Sequence, residues 1–99
     1  MEFDKLVHQP TRLQIFAYLY RHERATFSEI QNELDITDGN LSGHIQRMED
    51  ADAVAVEKQF VDRRPQTTYE LTEDGRRTFE SHVDTLETLL DQLEGDDAG

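Results

Sequence analysis

Two helix-start signals lie eleven residues apart, and nothing else in the chain constrains its fold as strongly. Thr26-Phe27-Ser28-Glu29 reads as a capping box: the Thr26 hydroxyl and the Glu29 carboxylate each accept a backbone N–H that a helix start leaves free. Thr37 is a second N-cap, placed at the end of a tight turn, Asp35-Ile36-Thr37. The helix confined between them has room for only about two to three turns, so it persists only if packed. Phe27, Ile30 and Leu34 give it an apolar face. A second helix then runs from Thr37 to about Asp50, with Leu41, Ile45 and Met48 on its buried side and Ile36 filling the angle between the two.

The flanking segments follow the same kind of pattern. Pro10, favoured at a first helical position, opens an upstream helix whose Leu13, Phe16, Ala17 and Tyr20 form one stripe. Phe3, Leu6 and Val7 precede it as a short apolar patch. Downstream, Val54, Val56 and Phe60 alternate, as do Thr67, Tyr69 and Leu71, around the polar turn Asp62-Arg63-Arg64-Pro65-Gln66. Two alternating runs about such a turn predict a β-hairpin. Thr72 caps a last helix to about Leu93, and residues 95–99 are expected to fray. That helix carries Phe79, Val83, Leu86, Leu90 and Leu93 at 4-3-4-3 spacing, widened by Leu89, which is the seam of a paired helix. Residues 1–72 thus form one domain and residues 73–94 a dimerisation helix.

A short helix, a tight turn and a second helix make a helix-turn-helix, whose second helix can lie in a major groove. A hairpin directly after it forms a wing. The stretches HQPTRLQIFAYL, TFSEIQNELDITDGNLSGHIQRMEDADAV and FVDRRPQTTYELTEDGRRTFE, in this order and spacing, resemble winged-helix regulators of the MarR and ArsR type, small archaeal members in particular. The expected fold class is mainly α with a β-hairpin wing: a winged helix-turn-helix with a C-terminal dimerisation helix. The resemblance implies a homodimeric transcriptional regulator that binds double-stranded DNA, with the helix after Thr37 in the major groove and the wing on the phosphate backbone.

At 100° per residue the outward face of that helix carries Gly39, Gly43, Gln46, Arg47 and Asp50, flanked by Asn40 and Ser42. Arg47 suits guanine or a phosphate, and Asn40 and Gln46 suit adenine edges. Thr37, Asn40, Ser42, Gly43, Gln46 and Arg47, with Lys58, Arg63 and Arg64 of the wing, are the expected DNA contacts. The chain departs from the family it resembles at Gly43, where Arg or Lys is common, and at Asp52, where glycine is usual. Glycine at 43 offers no side chain to a base, and Asp at 52 tolerates a left-handed turn better than most residues.

Charge complicates this reading. The net charge is −12, whereas DNA binders usually show a basic patch. Two thirds of the excess lies in residues 70–99, which hold ten acidic and two basic side chains. Lys5 and Lys58 are the only lysines, and such acid-rich, lysine-poor surfaces suit a halophilic origin in concentrated salt. The alternative is a winged helix that binds a protein partner or mimics nucleic acid through its acidic surface. His8, His22, His44 and His82 have no metal-ligand spacing, cysteine is absent, and no hydroxyl has a neighbouring base. No metal, cofactor or catalytic activity is expected. A cytoplasmic protein without membrane association is expected, and the sequence leaves a small-molecule effector open.

Overall fold

The computed structural model describes residues 3–97. Its elements are α1 (Lys5–His8), α2 (Pro10–His22), β1 (Arg24–Thr26), α3 (Phe27–Leu34), α4 (Asp38–Asp50), β2 (Val54–Val61), β3 (Arg64–Leu71) and α5 (Glu73–Asp97). The three strands form an antiparallel sheet in the order β1-β3-β2. This is a winged helix-turn-helix with a long C-terminal helix.

The local signals act as their chemistry dictates. Pro10 opens α2, where the Gln9 side chain accepts the Arg12 amide at 2.8 Å. The capping box at Thr26 and Glu29 is complete in both directions. Asp35 ends α3 in the left-handed region (φ 52°), and Thr37 Oγ1 accepts the Asn40 amide at 3.2 Å to start α4. Asp52 is left-handed at φ 57°, as its place after α4 requires.

Val7, Ile15, Phe16, Leu19, Ile30, Leu41, Ile45 and Met48 form the centre of the core, closed by Val54, Tyr69 and Leu71 from the sheet and Phe79 from α5. Each large apolar side chain so buried contributes about 1.5–3 kcal/mol. The stripe expected on α2 is corrected. Only its Phe16 is fully buried, whereas Leu13, Ala17 and Tyr20 are half-buried at the margin. Ile15, Leu19 and the charged Arg12 take the central places. The reason is that α2 touches α1, α3, α4, α5, β1 and β3, so its buried arc is wider than one stripe.

The wing also differs from its sequence reading. Its turn has two residues, Asp62 and Arg63, both with positive φ (52° and 67°), and the strands run on to Val61 and from Arg64. Positive φ at both central residues gives the twist that lets two strands close without splaying. Pro65 lies opposite Phe60, one pair from the turn, where a two-residue hairpin makes no ladder bonds. Its missing N–H therefore faces a side that β1, ending at Thr26 opposite Thr68, leaves uncovered. Phe60, expected on a buried alternation, is 78% exposed because the core ends at Val56.

At its base α5 is locked to the turn after α4. Thr72 Oγ1 donates to the Asp52 carbonyl at 2.6 Å and accepts the Gly75 amide at 2.9 Å, while the Thr72 amide donates to the Ala53 carbonyl at 3.0 Å. Gly75 lies so close that a Cβ there would sit 2.0 Å from the Ala53 carbonyl oxygen. Phe79 then stacks on Phe16 with centroids 6.1 Å apart. Beyond Val83 the helix leaves the core, which gives a molecule 63 Å long and 25 by 21 Å across. It remains helical through Asp97, past the point where fraying was expected, and residues 98 and 99 lie outside the described part.

Candidate nucleic-acid interface

With Leu41, Ile45 and Met48 buried, α4 turns Asn40, Ser42, Gly43, Gln46 and Arg47 to solvent. Thr37 is exposed at its start, its hydroxyl engaged in capping. A Cβ added at Gly39 or Gly43 would meet nothing within 4 Å, so neither glycine is forced by packing. The Gln46 amide donates one N–H to Asp50 Oδ1 at 3.0 Å, which fixes its orientation and leaves a second N–H and the carbonyl oxygen available.

Behind this face lies an arrangement that sequence reading missed. Arg12 is buried without a carboxylate partner among the described residues. Its Nε donates to the Leu6 carbonyl at 2.8 Å, and one terminal nitrogen meets His44 Nδ1 at 3.2 Å. Guanidinium can only donate, so His44 accepts through Nδ1 and carries its proton on Nε2. Burial, then the cations Arg12 and Arg47, hold the His44 pKa below its ordinary value. Burial and Arg47 likewise lower that of Arg12. Lys5, Arg12 and Arg47 line one shallow depression beside the end of α4, together with Asp50. The sequence clue was Arg12 itself, three and four residues before Ile15 and Phe16 on the buried arc.

On the other side of α4 a groove is lined by Ser42, Gln46 and Glu49 of the helix and by Val56, Lys58, Thr67 and Tyr69 of the wing. Strand register divides the wing cations. Val54, Val56, Lys58 and Phe60, with Leu71, Tyr69, Thr67 and Pro65 opposite them, share the face turned to α4. Arg64 pairs with Val61 on the reverse face, and Arg63 occupies the turn. Lys58, Arg63 and Arg64 are exposed, and none has an ion-pair partner among the described residues. The ion pairs of Arg24 with Glu57 and Glu70 lie nearer the sheet's base.

The seam residues separate equally clearly. Phe79 is buried within the protomer, Val83, Leu86 and Leu89 are half-buried, and Leu90 and Leu93 are 58% and 59% exposed. His82, one turn after Phe79 and beside the seam, is buried and lies 3.4 Å from His8, although the two lie far apart in sequence. Among the described residues no group of His, Asp and Glu gathers as metal ligands, and no helix is long and apolar enough to cross a membrane.

A family model described as a winged helix DNA-binding domain matches residues 11–90. An uncharacterized protein of Methanocaldococcus jannaschii is 29% identical over 90 residues, covering 91% of this chain and 98% of that protein. A transcriptional regulator homologue from Pyrococcus horikoshii OT3 superposes with a TM-score of 0.84 at 35% identity, over 89% of this chain and 87% of its own. Overoxidized AbfR bound to DNA shares the fold at a TM-score of 0.72 and 22% identity, over 93% of this chain and 76% of that one.

Proposed function

The chain belongs to the winged helix DNA-binding domain family, and from that premise we propose that it is a homodimeric, DNA-binding transcriptional regulator of the cytoplasm. The observation that carries this reading is the shared groove: α4 offers an exposed polar face, and the wing face carrying Lys58 turns toward it. In this reading α4 enters the major groove, where Asn40, Gln46 and Arg47 meet base edges. Lys58, Arg63 and Arg64 on one flank, and Lys5 and Arg47 on the other, hold phosphates. AbfR, which has the same fold, is bound to DNA, and that supports a DNA-binding role.

Residues 1–72 then serve DNA and residues 73–94 serve pairing. Leu90 and Leu93 support that division, since they stand 58% and 59% exposed. Phe79 is occupied in the core, so the pairing surface is Val83, Leu86, Leu89, Leu90 and Leu93. The acidic residues Glu80, Asp84, Glu87, Asp91 and Glu94 follow α5 away from the wing and suit a halophilic cytoplasm.

Fluorescence anisotropy of the chain with duplexes selected from a random pool, at several KCl concentrations, tests the function. Saturable binding that weakens linearly in log salt is expected. Absence of binding at every salt concentration where the protein is folded overturns it. The net charge of −12 and the missing side chain at 43 would then favour a winged helix that binds a protein partner through its acidic surface.

A further inference from the structure

Phe60 is the most exposed large apolar side chain among the described residues, at 78%. The fold makes no use of it, since the core ends four residues earlier on that strand, at Val56. It also lies on β2, an edge strand of the sheet, where an exposed aromatic ring is an aggregation liability. A ring kept in that place calls for an occupant.

Three observations point to the same one. Phe60 shares its strand face with Lys58, and that face borders the groove beside Ser42 and Gln46 of α4. Pro65 stands directly opposite, so ring and pyrrolidine together form an apolar tip. Cations flank the tip, with Lys58 two residues before Phe60, Arg63 in the adjoining turn and Arg64 after it, against the single acid Asp62. An apolar partner would not favour so many charges, whereas a nucleic-acid backbone would. Phenyl has no affinity for phosphate itself, and the apolar surfaces DNA offers between its phosphates are sugar walls and base-pair faces.

Building on the regulator reading, we propose that Phe60, backed by Pro65, is an apolar wedge that enters the minor groove beside the α4 site and partly unstacks one base step there. Wedges of this kind kink a duplex and let it bend onto more protein surface. The wing then contributes shape selection, favouring flexible pyrimidine–purine steps under Phe60, while Lys58 and Arg63 anchor the backbone on either side.

The test uses a duplex selected from a random pool, with 2-aminopurine placed at successive positions along the site. With the wild-type chain, fluorescence should rise at one step outside the α4 contact, reporting unstacking. Phe60→Ala should bind about tenfold more weakly, lose that rise and keep the wild-type salt slope, since no charge is removed. Phe60→Leu, which preserves an apolar wedge, should recover most of the affinity. The melting temperature should be unchanged in both variants because the ring is outside the core. The wedge is refuted if wild type binds without any fluorescence rise, if Phe60→Ala binds as tightly as wild type, or if Phe60→Ala alters only the oligomeric mass. Failure of wild type to bind any duplex refutes the regulator reading itself, a result distinct from the other three.

Discussion

Gly43 is the position at which stability and recognition can be separated most cleanly. It lies inside the thirteen-residue helix α4, between the buried Leu41 and Ile45, and faces solvent. A Cβ there meets no atom within 4 Å, and its φ is not positive, so Gly43→Ala should gain helix propensity without strain. The gain is about 1 kcal/mol, which in a domain of this size raises the melting temperature by about 4–8 °C. Gly43→Arg should keep most of that gain, because arginine is nearly as good a helix former as alanine. It should also add a cation to the face that carries Gln46 and Arg47. If the new side chain takes a phosphate, the log–log salt dependence of DNA binding should steepen by about 0.9. If it takes a guanine edge, selected DNA should gain about 1–3 kcal/mol over scrambled DNA. Urea and thermal melts, with anisotropy titrations, of wild type and both variants supply all four numbers. Loss of stability in Gly43→Ala would refute the open helical environment. Gained stability with abolished DNA binding would show instead that glycine is there to let the α4 backbone approach DNA closely.

Four further outcomes are expected. Gly75→Ala forces a methyl into the Ala53 carbonyl and should cost about 3 kcal/mol; a urea midpoint within error of wild type would contradict that contact. Leu90→Glu with Leu93→Glu should give a monomer by light scattering at molar KCl, and a wild-type monomer under the same conditions would remove the pairing proposal. Thermal stability should rise from low to molar KCl as repulsion among the acidic residues is screened, and a flat or falling curve counts against halophilic adaptation. Burial, then Arg12 and Arg47, depress the His44 pKa, and burial, then His8, depress that of His82 against an opposing pull from Asp4. The unfolded chain therefore protonates these histidines first, so their contribution is complete above about pH 6.5 and declines as the pH falls below it. In molar KCl the urea midpoint should drop between about pH 7 and 5.5, less steeply in His44→Gln and His82→Gln; a rise on acidification would invert the assigned shifts.

What could be read from the sequence was what neighbouring residues decide among themselves. Thr26, Thr37 and Thr72 cap helices through amides three residues away, so the order of helices and the outward face of α4 followed directly. Phe60 and Pro65 were misplaced because a turn without glycine at Asp62-Arg63 gives no signal of its length. Pro65 resembled a turn residue, although it lies where no strand needs its N–H. β1 escaped notice because Arg24–Thr26 holds one apolar residue, Ala25, and is a strand only through pairing with Thr68–Glu70. The division of wing cations between Lys58 and Arg64 depends on register. The approach of Lys5 and Arg12 to Arg47 depends on how α1 packs, which no single segment encodes.

The junction at Thr72 and Gly75 has a consequence for how a paired molecule would measure DNA. The turn that ends α4 and the first turn of α5 share a hydroxyl, an amide and a contact too tight for one methyl group. For two chains joined along α5, the gap between their α4 helices would then behave as a fixed gauge rather than a spring. Such a gauge discriminates by spacing. Two half-sites moved by one base pair would fall out of phase by about a tenth of a helical turn, and the joint offers little give to follow them. Where Gly43 leaves the letters of each half-site lightly read, the ruler between them would supply much of the selectivity.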